Sequence, residues 1–495
     1  MKKLRWLRIL LAWAAITWVT GAFLGFARTF PAKQQLFPAM LMGNLLAVGI
    51  ILAGTVLFGR FYCSVICPLG IFQDGVRFVA EKINASKRNF HYKKEKRKLR
   101  YAVLVIFAIG LVGGAGTLPM LLEPYSSYGL MVSNLLVPVW HQLVNFVSDM
   151  AVDYKLIEKY DVVPVVISAV AFAAAYFVII FTAAWYGGRN YCHMICPVGT
   201  ILGTLSRFAV FHPYIDGKKC INCGHCEKIC SSSCVDVKTG TVDTSMCVDC
   251  MDCIAVCPTG AMTFGHPNKE AKPAENGQMT EKHATSMSRR AFLATGASAV
   301  GAAATALTLK TKPVGAAEAA SDNVVMPPGA ETRERFASLC SACQLCVEHC
   351  KGGVLRPANL EYGIEGIFQP RLDFTNGFCD YNCSQCGKVC PTGAVTKLPI
   401  KKKRKVIIGK AIYHHFNCLI LKEGIECGNC VTHCPTKAVT LTGEFDKKKL
   451  PKVDSSLCIG CGSCEYHCPA KPKAIVVKGL GTQEKLVEKE RKPSK

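Results

Sequence analysis

Six runs of cysteine constrain this chain more than any other feature of its sequence. Each run holds four cysteines, and most follow Cys-x2-Cys-x2-Cys-x3-Cys, often with proline after the last one. Three thiolates at this spacing wrap one corner of an iron–sulfur cube, and the fourth ligates the cluster of a neighbouring run. Disulfides and zinc are the alternatives for a chain with 29 cysteines. Disulfide frameworks belong to small secreted domains, and zinc seldom uses three cysteines in such a row. The sequence therefore predicts about six 4Fe–4S clusters.

The crossing rule assigns to each cluster three cysteines of one run and one of its partner run. In the first pair of runs the predicted sets are Cys220, Cys223, Cys226 with Cys257, and Cys247, Cys250, Cys253 with Cys230. In the second pair they are Cys340, Cys343, Cys346 with Cys390, and Cys379, Cys383, Cys386 with Cys350. In the third pair they are Cys418, Cys427, Cys430 with Cys468, and Cys458, Cys461, Cys464 with Cys434. Cys234 stands beside Cys230, so either of the two is a candidate ligand.

The first half of the chain is strongly apolar. Residues 9–26, 36–58, 101–122 and 162–185 are long enough, or nearly so, to span a bilayer. The segment 60–100 carries eleven Lys or Arg and three acids, whereas the segment 123–161 carries two Lys and five acids. Because positive loops stay in the cytoplasm, we expect the N-terminus and the 60–100 loop inside and the 123–161 loop outside. This distribution explains the net charge of +24 without a nucleic-acid partner.

A twelve-residue motif occurs twice in this half. Residues 59–70 and 188–199 match at eight of twelve positions, and each copy holds Cys-x3-Cys-Pro after a pair of predicted spans. Two copies of one unit should place their motifs on the same face of the membrane, which requires an even number of crossings between them. Residues 130–147 are therefore predicted to be an interfacial or re-entrant helix and not a crossing. The motif cysteines would then meet near one axis. There they would hold a further intramembrane metal or cluster, or form redox-active pairs. They are Cys63, Cys67, Cys192 and Cys196.

Three polar residues of the predicted outer loop are candidates for a quinone site. They are Glu123, Tyr125 and His141, since polar groups at membrane depth tend to be functional. Interfacial anchoring is the alternative role for each of them.

The sequence predicts six segments. Residues 1–205 form a four-span membrane domain, residues 206–264 a cytoplasmic ferredoxin pair, and residues 265–286 a linker. Residues 287–320 resemble a twin-arginine export signal, with a plain fifth span as the alternative and a cleavage point near 319 left open. Residues 321–478 form an exported domain with four clusters, and residues 479–495 a disordered tail. The predicted fold is a helical membrane domain, with a two-plus-two span repeat and a fifth apolar segment, joined to α+β ferredoxin-like domains.

The order of these motifs resembles a known pair of proteins fused in one chain. Residues 1 to about 265, with the two Cys-x3-Cys-Pro motifs and the first ferredoxin pair, resemble the NapH-type quinol dehydrogenase membrane subunit, which is related to NosR. Residues 287 to about 478 resemble the MauM/NapG-type exported ferredoxin, on Ser288-Arg289-Arg290 and the four runs from Cys340 to Cys468. The resemblance implies a protein of the bacterial inner membrane. It would take electrons from quinol, without an independent substrate pocket, and pass them to a periplasmic reductase or cytochrome.

Two other function classes remain open at this point. One is a maturation or redox-regulatory ferredoxin whose Cys-x3-Cys-Pro motifs reduce a metal centre. The other is inward electron flow, from an outside donor to the quinone pool. Neither the terminal acceptor nor the direction of flow can be read from these motifs.

Overall fold

The computed structural model of the chain describes residues 2–27, 29–83, 90–112, 117, 119–150, 166–266, 323–445 and 448–486. They form a helical domain (residues 2–208) and two cysteine-rich modules, named here the N-module (residues 209–266) and the C-module (residues 323–486). The predicted twin-arginine segment, the cleavage point near 319 and nearly all of the predicted linker lie outside the described residues.

Helices α1 to α12 build the described part of the helical domain. They are α1 (Lys2–Phe23), α2 (Phe30–Lys33), α3 (Leu36–Met42), α4 (Leu45–Phe58), α5 (Phe61–Val65), α6 (Pro68–Ile83), α7 (Arg97–Val112), α8 (Pro124–Met131), α9 (Val137–Met150), α10 (Ile167–Gly187), α11 (Asn190–Met194) and α12 (Pro197–Leu205). A π-helical turn over Val132–Leu136 joins α8 to α9, and 3-10 turns cover Pro119–Leu122 and Ser206–Phe208.

Among the described residues, three helices are long and apolar enough to cross a membrane, judged by length and composition: Lys3–Phe23, Pro124–Met150 and Ile167–Gly187. The first and the last correspond to predicted spans. The predicted span 36–58 is instead two helices, because Gly43 ends α3 at φ +74° and the Asn44 side chain caps α4. The predicted span 101–122 begins within α7 and continues into residues that are not described. The four predicted spans are therefore not four single long helices.

The helix Pro124–Met150 is longer than the interfacial helix predicted for residues 130–147. Pro138 removes a backbone donor and crowds the turn before it, which accounts for the π-helical turn. Asn134 donates a hydrogen bond of 2.8 Å to Gln344 of the C-module. Trp140 packs on Phe26, just beyond the end of α1, with ring centroids 5.9 Å apart. The part of this helix up to Trp140 therefore contacts the C-module and the end of α1 that lies near the C-module.

Helix α1 runs from one module to the other. Near its start, Arg5 Nε donates to the Asp252 carboxylate of the N-module at 2.7 Å. At its end, His349 Nε2 of the C-module donates to the Ala22 carbonyl at 2.7 Å. The 22 residues of α1 extend about 33 Å, close to the hydrocarbon thickness of a bilayer, about 30 Å. The two modules therefore contact opposite ends of a helix as long as a membrane is thick.

Helix α10 makes the same connection in the opposite direction. Ser168, in its first turn, hydrogen-bonds Asn359 of the C-module. Just after its last turn, the backbone N–H of Arg189 donates to the Ser231 carbonyl of the N-module at 3.2 Å. Two antiparallel helices thus fix the separation of the modules.

Both modules are α+β. The N-module pairs β1 (His212–Ile215) with β4 (Met262–Gly265) and β2 (Val235–Asp236) with β3 (Thr241–Val242), around helices α13 (His225–Ile229) and α14 (Asp252–Val256). The C-module has three antiparallel pairs, β5 (Leu355–Pro357) with β6 (Pro370–Leu372), β7 (Val406–Tyr413) with β10 (Ile475–Lys485), and β8 (Val439–Phe445) with β9 (Lys448–Val453). Its short helices are α15 (Arg333–Leu339), α16 (Leu345–Glu348), α17 (Gln385–Val389), α18 (Ile400–Lys403), α19 (Leu419–Lys422), α20 (Asn429–Thr432) and α21 (Ser463–Tyr466), with 3-10 turns at Ile364–Gly366 and His415–Asn417.

The predicted tail 479–495 is wrong at its beginning. Strand β10 continues to Lys485, which pairs with Val406. Gln483 fastens this stretch to the first residues of the C-module, since its Oε1 accepts from the Gly329 N–H at 2.9 Å. Charge alone suggested disorder, whereas backbone pairing across the module orders the segment.

Asp74 of α6 ties three parts of the helical domain together. Its carboxylate accepts from Arg8 of α1 at 2.5 Å and from Arg189 at 2.6 Å, and all three side chains are largely buried. We expect Asp74→Asn to destabilise the detergent-solubilised chain by about 3–5 kcal/mol, because two buried guanidinium groups lose their shared counter-charge. The control is Asp216→Asn, whose exposed pair with Lys219 spans 3.7 Å and contributes about 0–1 kcal/mol. Equal melting temperatures of the two variants would contradict this role.

Candidate electron-transfer sites

The regular cysteine runs curl because residues between their cysteines adopt left-handed backbone conformations. In the first run, Asn222 (φ +54°) and Gly224 (φ +73°) flank Cys223. The same two positions are left-handed in the runs that begin at Cys247, Cys340 and Cys458: Asp249 and Met251, Ala342 and Gln344, Gly460 and Gly462. For a residue with a side chain this costs of order 1 kcal/mol, and such strain collects at functional sites. Alternating left-handed residues are typical of backbone nests that bind anions.

Three pockets are each lined by four cysteines, three from one run and one from its partner. They are named here site 1 (Cys220, Cys223, Cys226, Cys257), site 4 (Cys379, Cys383, Cys386, Cys350) and site 5 (Cys418, Cys427, Cys430, Cys468). These are groupings that the crossing rule predicts from the sequence.

The other three predicted sets also come together. Cys230 interacts electrostatically with all three cysteines of the Cys247 run, Cys390 with all three of the Cys340 run, and Cys434 with two of the Cys458 run. These sets are named site 2 (Cys247, Cys250, Cys253, Cys230), site 3 (Cys340, Cys343, Cys346, Cys390) and site 6 (Cys458, Cys461, Cys464, Cys434).

Cys230 and Cys234 both face site 2. Their Sγ atoms are 3.4 Å apart and both side chains are buried. The contact between the two thiols lowers the pKa of Cys230 to about 7 and raises the pKa of Cys234 well above its ordinary value. Either sulfur can be the donor of this contact. The crossing rule and the interactions of Cys230 with Cys247, Cys250 and Cys253 make Cys230 the proposed ligand.

The residues present fit iron–sulfur clusters. Burial raises the pKa of the Cys226 thiol to about 11 and those of Cys430 and Cys461 to about 12. A buried thiolate is unfavourable alone, whereas a metal holds it deprotonated. Within the described residues, no three His, Cys, Asp or Glu side chains are placed to hold a single metal ion.

The sites contact one another in a definite order. In the N-module, Cys253 of site 2 interacts electrostatically with Cys226 of site 1. In the C-module the interacting pairs link site 3 to site 4, site 4 to site 6, and site 6 to site 5: Cys346 with Cys386, Cys461 with Cys379, and Cys464 with Cys430. The spatial series 3, 4, 6, 5 therefore differs from the order along the chain.

The inner ends of both series lie against the helical domain. At site 2, Arg8 Nη1 donates to the Cys250 carbonyl at 3.1 Å. At site 3, Tyr125 of α8 interacts electrostatically with Cys343, and an added Cβ at Gly129 would lie 2.8 Å from the Cys343 carbonyl oxygen. The outer ends reach the surface, since Cys223 of site 1 is exposed and Phe416, two residues before Cys418 of site 5, is 74 % exposed.

The structure also brings the two Cys-x3-Cys-Pro motifs together. All four motif cysteines are buried, and Cys196 interacts electrostatically with Cys63, Cys67 and Cys192. Arg60 and Arg189, the second residue of each motif copy, are fully buried beside them. The repeated Gly-Arg pair was visible in the sequence, but its spacing alone gave no reason to assign the arginines a role.

The three candidate quinone-site residues are separated. Glu123 and Tyr125 are both 0 % exposed at the start of α8, where the Glu123 carboxylate accepts from the N–H groups of Tyr125 (3.1 Å) and Ser126 (2.6 Å). His141 lies in α9, about 24 Å further along the helix. Only Glu123 and Tyr125 therefore lie together, and they lie between the motif cysteines and site 3.

Comparisons with known protein families agree with iron–sulfur chemistry. Models described as 4Fe–4S binding domains match residues 40–86, 169–215 and 241–262, and a model described as a 4Fe–4S dicluster domain matches residues 425–471. The first two matches each contain one Cys-x3-Cys-Pro motif.

Several ferredoxin-type proteins are similar to this chain. The methylamine utilization ferredoxin-type protein MauM of Methylobacillus flagellatus is 33% identical over 178 residues, which are 33% of this chain and 70% of the relative. Ferredoxin-type protein NapG of Escherichia coli is 33% identical over 146 residues, 27% of this chain and 61% of the relative. Ferredoxin-type protein NapF of Escherichia coli is 27% identical over 145 residues, 28% of this chain and 77% of the relative. No solved structure matches the chain.

The Cys230–Cys234 contact gives a test of the site 2 ligand. We expect Cys230→Ser to remove one cluster's iron and sulfide, as the control Cys223→Ser does at site 1. Cys234→Ala should keep the full iron content but lower the reduction potential of site 2, because a hydrogen bond to sulfur is lost. Iron analysis and a redox titration check both results. Loss of iron in Cys234→Ala alone would reverse the assignment.

Proposed function

Because the chain belongs to the family of ferredoxin-type 4Fe–4S proteins that includes MauM, we propose that it relays electrons between the quinol pool and a redox partner across the bacterial inner membrane. It is an iron–sulfur electron-transfer protein with multiple clusters, and such clusters supply one-electron transfer when bound. The cysteine runs of the chain would hold them in order.

The observation that carries this proposal is that two membrane-length helices connect the modules. The start of α1 contacts the N-module and its end contacts the C-module, while α10 runs the opposite way. The Lys- and Arg-rich 60–100 segment supports a cytoplasmic N-module, and a periplasmic C-module is proposed on that basis. The twin-arginine-like segment 287–320 agrees with export of the C-module.

We further infer a NapH-type helical domain and N-module fused to a MauM/NapG-type C-module. The match of 4Fe–4S binding models to both repeats of the helical domain supports the first part, and the similarity to MauM and NapG supports the second. A periplasmic reductase or cytochrome is then the proposed partner of the C-module.

Glu123 and Tyr125 mark the proposed quinol site. Oxidation of one quinol releases two electrons and two protons, and each iron–sulfur site accepts one electron at a time. Glu123 interacts electrostatically with Cys343 of site 3, so a carboxylate stands beside the first electron acceptor. In each of two successive one-electron steps, Glu123 would accept one proton and release it to the outer side before the next step. Each electron would pass to the cluster that the cysteines of site 3 hold when loaded, and then along the series 3, 4, 6, 5 to the surface.

A reduced menaquinol analogue tests this function. Mixed with the full chain in nanodiscs, it should bleach the cluster absorbance. Glu123→Gln should slow the bleaching about 10²-fold or more, because the proton acceptor is lost. His141→Gln is the matched control and should leave the rate unchanged, since His141 lies far along α9. Absence of bleaching in the wild-type chain, with dithionite still effective, rejects the quinol function and favours the maturation role.

The contact between α8 and site 3 gives a second test. An added Cβ at Gly129 would lie 2.7 Å from Phe23 and 2.8 Å from the Cys343 carbonyl oxygen, so Gly129→Ala must shift the C-module away from α8. We expect slower reduction of the C-module sites by quinol, since electron transfer weakens steeply with distance. Gly49→Ala is the control, because a Cβ there meets nothing within 4 Å. Stopped-flow absorbance measures the rate of reduction in both variants. Equal rates would show that the electron path does not depend on this contact.

A further inference from the structure

We propose that Cys63, Cys67, Cys192 and Cys196 together hold one further iron–sulfur cluster, shared by the two repeats of the helical domain. Each repeat supplies two thiolates, so neither repeat can form the site alone. The role of this shared site as a carrier between the modules rests on the proposed function, but its existence does not.

The local fold of each motif prepares a thiolate. In both copies a one-turn helix ends two residues before the second cysteine, and the proline after that cysteine starts a new helix, α6 or α12. Cys196 Sγ accepts the backbone N–H of Gly199 at 3.3 Å, and Cys67 has the equivalent bond from Gly70. A helix N-terminus stabilises negative charge on sulfur.

The two motifs are interlocked by reciprocal arginine contacts. Arg60 of the first copy donates to the Cys192 carbonyl of the second at 3.4 Å. Arg189 of the second copy donates to the Cys63 carbonyl of the first at 2.7 Å. These contacts relate the copies by a local pseudo-two-fold and bring the four thiols into one cluster of side chains.

The charges around the thiols need a negative partner. Arg189 pairs with Asp74, but the repeat places Gly203 where the second copy would carry the equivalent of Asp74. Arg60 is 0 % exposed and, among the described residues, no carboxylate forms an ion pair with it. Cys63 Sγ lies 3.8 Å from Arg60 Nη2, and the buried Asp249 carboxylate interacts with Arg60 electrostatically and accepts from its backbone N–H. A desolvated guanidinium is unfavourable unless it is paired, and metal-bound thiolates at Cys63 would add to that pairing.

Buried polar atoms beside the thiols also lack partners. Gln73 Nε2 donates to Cys192 Sγ at 3.3 Å, while Gln73 Oε1 has no hydrogen-bond partner within the described part of the chain. His193 Nε2 and Arg60 Nε are also buried without a hydrogen-bond partner in that part of the chain. Of these atoms, Arg60 Nε carries a hydrogen, which a sulfur of a bound cluster can accept.

The alternatives fit less well. None of the 29 cysteines is disulfide-bonded, including the four motif cysteines. The shared site has the same ligand type, four cysteine thiols, as each of the six ferredoxin sites.

The shared site lies between the two inner ends of the relay. On one side, Arg60 Nη1 donates to the Ser245 carbonyl of the N-module at 3.2 Å. On the other, Tyr176 interacts electrostatically with both Cys196 and Glu123, next to site 3. An electron entering this site oxidises one neighbouring cluster and an electron leaving it reduces another, so no bond changes and no further reactant is needed.

Iron and sulfide analysis of the full chain tests the proposal. The double variant Cys67→Ser/Cys196→Ser should lose about four iron atoms per chain, the content of one 4Fe–4S cluster. Cys223→Ser at exposed site 1 calibrates the loss of one cluster. Ser64→Ala, at a buried non-thiol position of the same turn, should lose none. Unchanged iron in the double variant overturns the proposal.

Native mass spectrometry of the wild-type holoprotein covers the case in which the double variant does not fold. Seven clusters are expected, and six clusters with four free thiols, or with a disulfide in either motif, overturn the shared site. Neither measurement involves quinol. Failure of quinol to bleach a seven-cluster protein would therefore reject the proposed function and leave the shared site standing.

Discussion

The helical domain depends on two buried arginines, Arg60 and Arg189. Each lies in one Cys-x3-Cys-Pro motif and donates to the backbone of the other. The guanidinium groups of Arg60 and Arg189 are desolvated, and each bonds a carbonyl of the opposite repeat. Gly70 and Gly199 make room for this exchange, because a Cβ at either position would collide with the carbonyl and crowd the arginine. Small residues at these two positions are thus as necessary as the arginines.

The N-module docks on the same junction. Arg60 donates to Ser245 of the N-module, and Asp252 of the N-module accepts from Arg5 of α1 and from Arg77 of α6 at 2.7 and 2.6 Å. The residues that position the motif cysteines therefore also position site 2. Geometry at the shared cysteines and docking of the first ferredoxin pair are coupled, since a shift in one moves the charged groups that anchor the other.

Much of the grouping of the cysteines could be predicted from spacing, because the members of each set lie at fixed intervals in the local sequence. The crossing rule grouped the cysteines that line sites 1, 4 and 5, and the repeat led to the expectation that the motif cysteines meet. Tertiary features were not readable. The break at Gly43 depends on one backbone conformation, and the order of β10 depends on pairing with β7. The separation of His141 from Glu123 follows from one long helix where the sequence suggested a short one.

The irregular runs show how spacing and position in the relay are connected. The runs of sites 4 and 5 have longer first gaps and lack the paired left-handed residues of the regular runs. At site 5 the gap between Cys418 and Cys427 forms a loop that carries Ile425, which is 50 % exposed. Such a loop is tolerable only where no neighbouring site must pack against it, and site 5 is the last of the C-module series. The regular runs of sites 2 and 3 instead face the helical domain, where the left-handed curl keeps the backbone close to Arg8 and Gly129. The eight-residue gap of site 5 therefore lies at the open end of the C-module series, whereas the single extra residue of site 4 lies within the series.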